Sequence, residues 1–462
     1  MIRTLPQPLI DSLQNAEGFD EEAFRLVHAS GEQITSIRIN LAKIRIEETD
    51  LPVESAVPWC SNGYYLSHRP SFTFDPLFHA GCYYVQEASS MFLETALQQT
   101  VDLSVPLKVL DLCASPGGKS THLQSLLSPQ SILVSNEVIK SRNNVLVDNI
   151  VKWGAANVIV TANDAAAFQN IPGYFDVMVV DAPCSGSGLF RRDEAAIDEW
   201  SPNNVQLCSQ RQQRIVADAL PALKRGGILI YSTCSYSIAE DEAIMDWLVA
   251  EMECESIKLN LENAPGVVES MSQNTGTAGY RFYPDKVKGE GFFIAVFRKK
   301  TGETNERYKT GKPEKLNHKQ KEIVGHLINE MQWEGVRLYN GWYLLPPQVY
   351  DQLCVLQPSL NIQYAGVQLG EIMKDKLVPA HALALSGLLN ENVPKNELNK
   401  EDTIRYLQRA DFKLTTETKG WQVVCYQKHN LGWINALPNR FNNYYPKELR
   451  ILKQHNGPAF EN

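Results

Sequence analysis

A chain of 462 residues exceeds what one core usually spans and suggests two to four domains, while 44% hydrophobic and 21% charged residues are ordinary for a soluble globular protein. No run of eighteen apolar residues occurs, which excludes a helical membrane span, and the N-terminal MIRTLPQPLIDSLQN lacks an apolar signal core, so a cytoplasmic protein is expected. A net charge of −9 confines any polyanion contact to local patches, and nine cysteines without a CxxC pair point to reduced thiols rather than disulfides or zinc.

Residues 1–100 read as mixed short helices and strands with a proline-bearing loop at Leu51–Pro58. From 107 to 300 the pattern alternates. Candidate strands are Leu107–Cys113, Ile132–Glu137, Asn157–Asn163, Phe175–Asp181 and Gly227–Cys234, each a short β-branched apolar run suited to burial on both faces. Helical patterns fall at Lys119–Leu127, Ile139–Trp153, Asn204–Leu223 and Ala239–Glu251, the last with Ser237 and Glu240 spaced as a capping box. This order implies a right-handed, doubly wound α/β sheet. Gly289–Lys299 is expected to be one arm of an antiparallel hairpin closing the sheet edge. Arg298–Lys321 carries nine Lys/Arg against three Glu and reads as a basic linker. Short strands resume beyond 322, at Arg337–Leu345 and Trp421–Gln427. Near the C-terminus, Arg440, Lys447, Arg450 and Lys453 are interleaved with Phe441, Tyr444 and Tyr445, a mixture that suits RNA.

The first core strand runs into Cys113-Ala114-Ser115-Pro116-Gly117-Gly118-Lys119 and then a helix. Glycines there let backbone approach a ligand, and the helix start offers unpaired N–H groups to a carboxylate or phosphate. A P-loop needs glycine where Cys113 stands, and GxGxxG is absent. S-adenosylmethionine fits better. Its carboxylate suits the helix end, its ribose suits Glu137, eighteen residues beyond Lys119, and its adenine amine suits Asp164. Acids also favour helix starts, so a capping role stands beside each.

Two cysteines follow at strand ends, in Asp181-Ala182-Pro183-Cys184-Ser185-Gly186 and Ser232-Thr233-Cys234-Ser235. A lone cysteine there is more often a small buried hydrophobe. Two of them, with Asp181 and a cofactor loop at the same sheet edge, fit attack on an unreactive aromatic carbon such as carbon 5 of cytosine. A thiolate adds at carbon 6, carbon 5 becomes nucleophilic, and its proton must later be removed.

These residues resemble the RNA (cytosine-5)-methyltransferases of the Nop/Sun family. SIRIN (Ser36–Asn40), YYVQEASSM (Tyr83–Met91), DLCASPGGKS, DAPCSGSG and YSTCS are similar to its signatures, and LGEIMKDKLVPAHALAL (Leu369–Leu385) and LGWINALPNRFNNYYPKELRI (Leu431–Ile451) to C-terminal parts of its rRNA-directed members. The resemblance implies a seven-stranded Rossmann-like methyltransferase core, S-adenosyl-L-methionine as cofactor, no metal, and structured 16S rRNA as partner. It implies five segments: an N-terminal RNA-binding α+β domain (1–100), the methyltransferase domain (101–300), a basic linker (301–321), an intermediate domain (322–390) and a PUA-like RNA-binding domain (391–462). By resemblance, Cys113 through Lys119 wrap the methionine end, Glu137 takes the ribose, Asp164 the adenine, and Asp181 the cofactor side of the cytosine site. Cys234 becomes the nucleophile and Cys184 the product-releasing thiol; the residues alone leave that order open. Asn435 departs from the lysine expected there and weakens the basic surface. A tRNA-directed enzyme of the same chemistry, and an assembly factor with a vestigial core, are the alternatives.

Overall fold

The apolar runs of the central third pair into one sheet that organises the whole molecule. The structure is a computed structural model and describes residues 4–453 apart from 303–306, 330–332, 340, 415 and 417. Glu303 and Glu306 of the linker, and everything beyond 453 in the last expected domain, lie outside the described residues.

In spatial order the sheet runs Val268–Met271, Ala278–Phe282, Phe292–Lys299, Leu223–Thr233, Phe175–Asp181, Lys108–Asp111, Ile132–Asn136, Val158–Thr161 and Ile362–Ala365, with Cys254–Ser256 pairing Phe292–Lys299 as a tenth strand. The five strands from Leu223–Thr233 to Val158–Thr161 are mutually parallel, and with Phe292–Lys299 and Ala278–Phe282 they make the seven-stranded methyltransferase core. Their side chains are almost wholly buried, as helices on both faces require.

Three expectations are corrected. Phe292–Lys299 is internal, because Ala278–Phe282 and Val268–Met271 continue the sheet beyond it. The helix expected to reach Leu223 stops at Ala219: Pro221 lacks the N–H that would continue it, and a 3-10 turn (Leu220–Ala222) leads into the strand at Leu223. Arg337–Leu345 is not one strand but parts of two, Glu334–Leu338 and Gly341–Leu345, antiparallel in a hairpin.

The flanking segments are built onto the core. The N-terminal sheet (order Val53–Ala56, Gly63–Leu66, Thr35–Ile39, Tyr83–Val85) carries the SIRIN motif. Arg38 from it is buried, lies 4.6 Å from the Trp153 ring centre and donates to Thr121 Oγ1 at 2.6 Å on the helix after the cofactor loop. Asn40 donates to the carbonyls of Gly81 and Trp153. Ile362–Ala365 extends the core sheet antiparallel to Val158–Thr161. The last sheet (Lys395–Glu397, Gly420–Tyr426, His429–Leu437, Arg440–Asn443) shares apolar packing with the N-terminal one, through Tyr406, Ile434 and Tyr445 beside Ile37, Ile39 and Tyr83. Among the described residues no helix is long and apolar enough to cross a membrane.

Candidate active site

Strand Lys108–Asp111 delivers the chain to the loop that precedes helix Gly118–Leu126. Gly117 sits at φ 109°, in the left-handed region, and a Cβ there would lie 3.2 Å from Leu146 Cδ1. The Ser115–Pro116 bond is cis. Helix Lys140–Trp153 latches the loop: Ser115 Oγ donates to the Arg142 carbonyl, Arg142 Nη2 to the Ser115 carbonyl, and Asn149 Nδ2 to the Pro116 carbonyl. Among the described residues no side chain caps the helix start, so its leading N–H groups face the sheet edge unclaimed. Asp111 beneath it accepts from Ser120 Oγ at 2.6 Å, and burial pushes its carboxyl up to about 7. Burial also raises the Cys113 thiol.

Glu137 is buried just after the second core strand; it accepts from Ile139 N–H at 2.9 Å and lies 3.5 Å from Arg142 Nε. Asp164 is exposed after the third and accepts from Ala166 N–H at 3.1 Å, capping a 3-10 turn. Each acid thus spends one oxygen on a local cap and keeps its position at the carboxyl edge of the sheet.

The fourth and fifth core strands are parallel neighbours with Asp181 opposite Ser232. That register carries both cysteine loops off the same edge. Cys184 Sγ and Cys234 Sγ lie 3.1 Å apart. Lys119 reaches across from the cofactor helix: its Nζ is 2.8 Å from Asp181 Oδ2, while Ser232 Oγ donates to Asp181 Oδ1 at 2.9 Å. The lysine expected to wrap a cofactor is therefore committed to the acid of the thiol pair. Burial opposes its charge, but Asp181, Asp111 and Cys234 outweigh that and raise its pKa. The Cys184 thiol is held well above the usual range, first by its hydrogen bond to Cys234, then by burial and the Cys234 charge.

Sequence reasoning missed a residue here. Ser237 and Glu240 do not form a capping box; the helix begins at Glu242 and Ser237 Oγ has no partner among the described residues. Glu240 turns inward instead and is fully buried. Its Oε1 accepts from Ser185 N–H at 2.8 Å and Gln212 Nε2 at 3.1 Å, and its Oε2 from Ser185 Oγ at 2.5 Å and Ser235 Oγ at 2.7 Å. Hydrogen bonds to a charged acceptor contribute about 1.5–3 kcal/mol each, so four of them offset the several-kcal/mol cost of burying a carboxylate. The only signal in the sequence was the serine that follows each cysteine.

The basic segments divide. Lys299 is buried and donates to the carbonyls of Leu220 and Leu223, while Lys315 pairs with Glu334 and Lys319 with Asp375. Near the C-terminus, Arg409, Lys413, Arg440 and Lys447 line a cleft of about 1030 Å³ with Phe412, Phe441 and Tyr444. Tyr445 is no surface aromatic: it is buried, and its hydroxyl lies 3.3 Å from His79 Nδ1 of the N-terminal segment.

With this geometry in place, comparison with known proteins is decisive. Residues 99–298 match the family model described as 16S rRNA methyltransferase RsmB/F, residues 5–88 the N-terminal domain of 16S rRNA methyltransferase RsmF, and residues 393–451 the methyltransferase RsmF PUA domain. The chain belongs to the RsmB/F family of methyltransferases. It is 32% identical over 442 residues to ribosomal RNA small subunit methyltransferase F of Aeromonas salmonicida, and 29% identical over 437 residues to that of Shewanella oneidensis, each alignment covering 90% of both chains. Among solved structures it is similar to a methyltransferase homolog protein from Pyrococcus horikoshii, at 28% identity and a TM-score of 0.51, covering 64% of this chain and all of that one. As a member of the RsmB/F family it is an RNA methyltransferase with a PUA RNA-binding domain.

Proposed function

We propose that the protein methylates carbon 5 of a cytosine in 16S rRNA, with S-adenosyl-L-methionine as donor, through a covalent adduct on Cys234. The observation that carries this reading is the pair of thiols 3.1 Å apart beside the Lys119–Asp181 ion pair. The residues around the loop suit the donor. The uncapped helix start at Gly118 can receive its carboxylate, the buried Glu137 its ribose diol and Asp164 its adenine amine. When bound, the donor supplies an electrophilic methyl; the remaining work falls to this chain.

The Cys184 thiol is raised and holds its proton 3.1 Å from the Cys234 sulfur, so attack is assigned to Cys234, with the Lys119 ammonium nearby to favour negative charge there. Addition of that sulfur to carbon 6 moves negative charge toward the ring nitrogen; the Lys119 ammonium would offset it, while Asp181, paired to Lys119 at 2.8 Å, can accept from the exocyclic amine of the cytosine. The two largest influences of Cys234 on the Cys184 thiol, the hydrogen bond and the charge, vanish once Cys234 is a thioether. Cys184 can then give its proton to bulk water and, as thiolate, take the carbon 5 proton; the electrons of that C–H bond re-form the 5,6 double bond and expel Cys234 as a thiolate. The target base must be turned out of its helix to reach the thiols.

Purified protein, labelled donor and 16S rRNA or the small-subunit particle test this directly. Label should enter RNA as 5-methylcytosine, and deleting the gene should remove one or more 5-methylcytosines from 16S rRNA in bisulfite sequencing. Loss confined to tRNA would change the substrate; no change in any RNA would overturn the reading.

The C-terminal cleft gives a second expectation. Removing residues 430–462 is a poor test, because strands His429–Leu437 and Arg440–Asn443 pack against the N-terminal core. Arg440→Glu with Lys447→Glu leaves that packing intact. It should weaken RNA binding and flatten the slope of log K against log salt by about 1–2, as expected for losing one or two phosphate contacts. Filter binding across a salt series measures it.

A further inference from the structure

We infer that Glu240 is the positioning residue that holds the two thiol loops together. It belongs to neither cysteine motif and hydrogen-bonds neither sulfur, though its charge is among the causes that raise the Cys184 thiol. Yet its carboxylate is the acceptor shared by both loops: Ser185 follows Cys184, Ser235 follows Cys234, and both hydroxyls and the Ser185 N–H converge on it. The serines also lie near each other, with Oγ atoms 3.4 Å apart, and Ser187 Oγ is 3.4 Å from Ser235 Oγ. Gln212, from helix Pro202–Ala219, closes the ring by donating to Glu240 Oε1 and to the Pro183 carbonyl. The backbone around Glu240 is itself fixed, since its carbonyl accepts from Tyr231 OH at 2.7 Å within the strand that leads to Cys234.

The strand register brings Asp181 opposite Ser232, but the sheet ends there: Cys184 and Cys234 stand beyond the last ladder pair, where backbone pairing no longer sets their separation. Beyond that pair the loops are tied by Gly188 N–H to the Cys234 carbonyl, by Tyr236 N–H to Ser187 Oγ at 2.9 Å, by the serine hydroxyl contacts and by the bonds that meet at Glu240, the one acceptor that takes bonds from the residue after each cysteine. A buried acceptor with four donors is far stiffer than either loop alone. The sulfurs are held at 3.1 Å by Glu240, which acts at one remove.

The donor types make the idea testable. On Oε1 both partners, Ser185 N–H and Gln212 Nε2, only donate; on Oε2 both are hydroxyls, which can also accept. Glu240→Gln can therefore keep the bridge, its amide oxygen at the first position and its NH₂ donating to the two serines. Glu240→Ala cannot.

The experiment uses the full-length protein and reads thiol proximity directly, by the rate at which diamide joins Cys184 to Cys234. Each sulfur gives up a proton and an electron, the diamide is reduced to its hydrazine, and the linked peptide is quantified by mass spectrometry. Glu240→Ala should slow cross-linking by about tenfold or more, and lower kcat by about 10–100-fold with KM for RNA and donor little changed, the loss expected for a reacting group displaced by about 1 Å. Glu240→Gln should stay near wild type on both counts. The double variant Ser185→Ala, Ser235→Ala should slow cross-linking as Glu240→Ala does, and stands in for it if that variant does not fold. Wild-type cross-linking in a folded Glu240→Ala or double-serine variant would overturn the inference, as would Glu240→Gln falling as far as Glu240→Ala. The kcat arm rests on the proposed cytosine chemistry; the cross-linking arm does not. A wild-type protein that cross-links but methylates no cytosine would sink the function alone.

Discussion

Alanine at position 234 is expected to stop methyl transfer, by about 10⁴-fold or more, while the donor binds as before. The reason lies in the division of the site. Donor contacts are expected from the loop and helix after strand Lys108–Asp111, latched by Arg142 and Asn149, whereas Cys234 leaves a different strand and no latch bond involves it. Removing its sulfur takes away the group proposed to activate carbon 5 and leaves the loop, its left-handed Gly117 and the Lys119–Asp181 pair in place. Calorimetric titration with the donor should match wild type, and single-turnover transfer to RNA should fall to background. Turnover retained in that variant would refute Cys234 as the nucleophile.

Alanine at position 184 is expected to have the opposite signature. The adduct should form and persist, because the thiol proposed to take the carbon 5 proton is missing while the proposed attacking sulfur remains. After reaction with RNA, a denaturing gel should show a protein band retarded by covalently bound RNA and sensitive to ribonuclease. The double replacement of both cysteines should show none. Wild type should show little, because in it Cys184 is present to release the adduct. No retarded band with Cys184→Ala would leave Cys184 without a release role, and a band that instead required Cys184 would reverse the order of the two thiols.

Much of the site was legible because its signals are local. Each parallel strand is a short run of apolar, mostly β-branched residues, and the turn that follows Cys113 needs a residue at positive φ, which Gly117 supplies. Asp181, Cys184 and Cys234 were therefore recognisable at strand ends before any strand was paired. The errors were local signals outvoted by distant contacts. Ser237 and Glu240 have capping-box spacing, but Ser185 and Gln212 from distant segments, with the nearby Ser235, offer the carboxylate four bonds where a helix cap offers one or two. Tyr445 sits among basic residues in the chain, yet a histidine 366 positions earlier meets its hydroxyl in the interior.

On its own, then, the sequence determined which residues can do chemistry and at which end of which strand they stand, because backbone propensity and burial pattern are written within about ten neighbouring residues. Tertiary structure alone decided that Asp181 stands opposite Ser232, that Lys119 turns to Asp181, and that Glu240 joins both loops. Such choices depend on strand order and register between segments some fifty residues apart, where many weak packing contacts compete and no short stretch of chain carries the outcome.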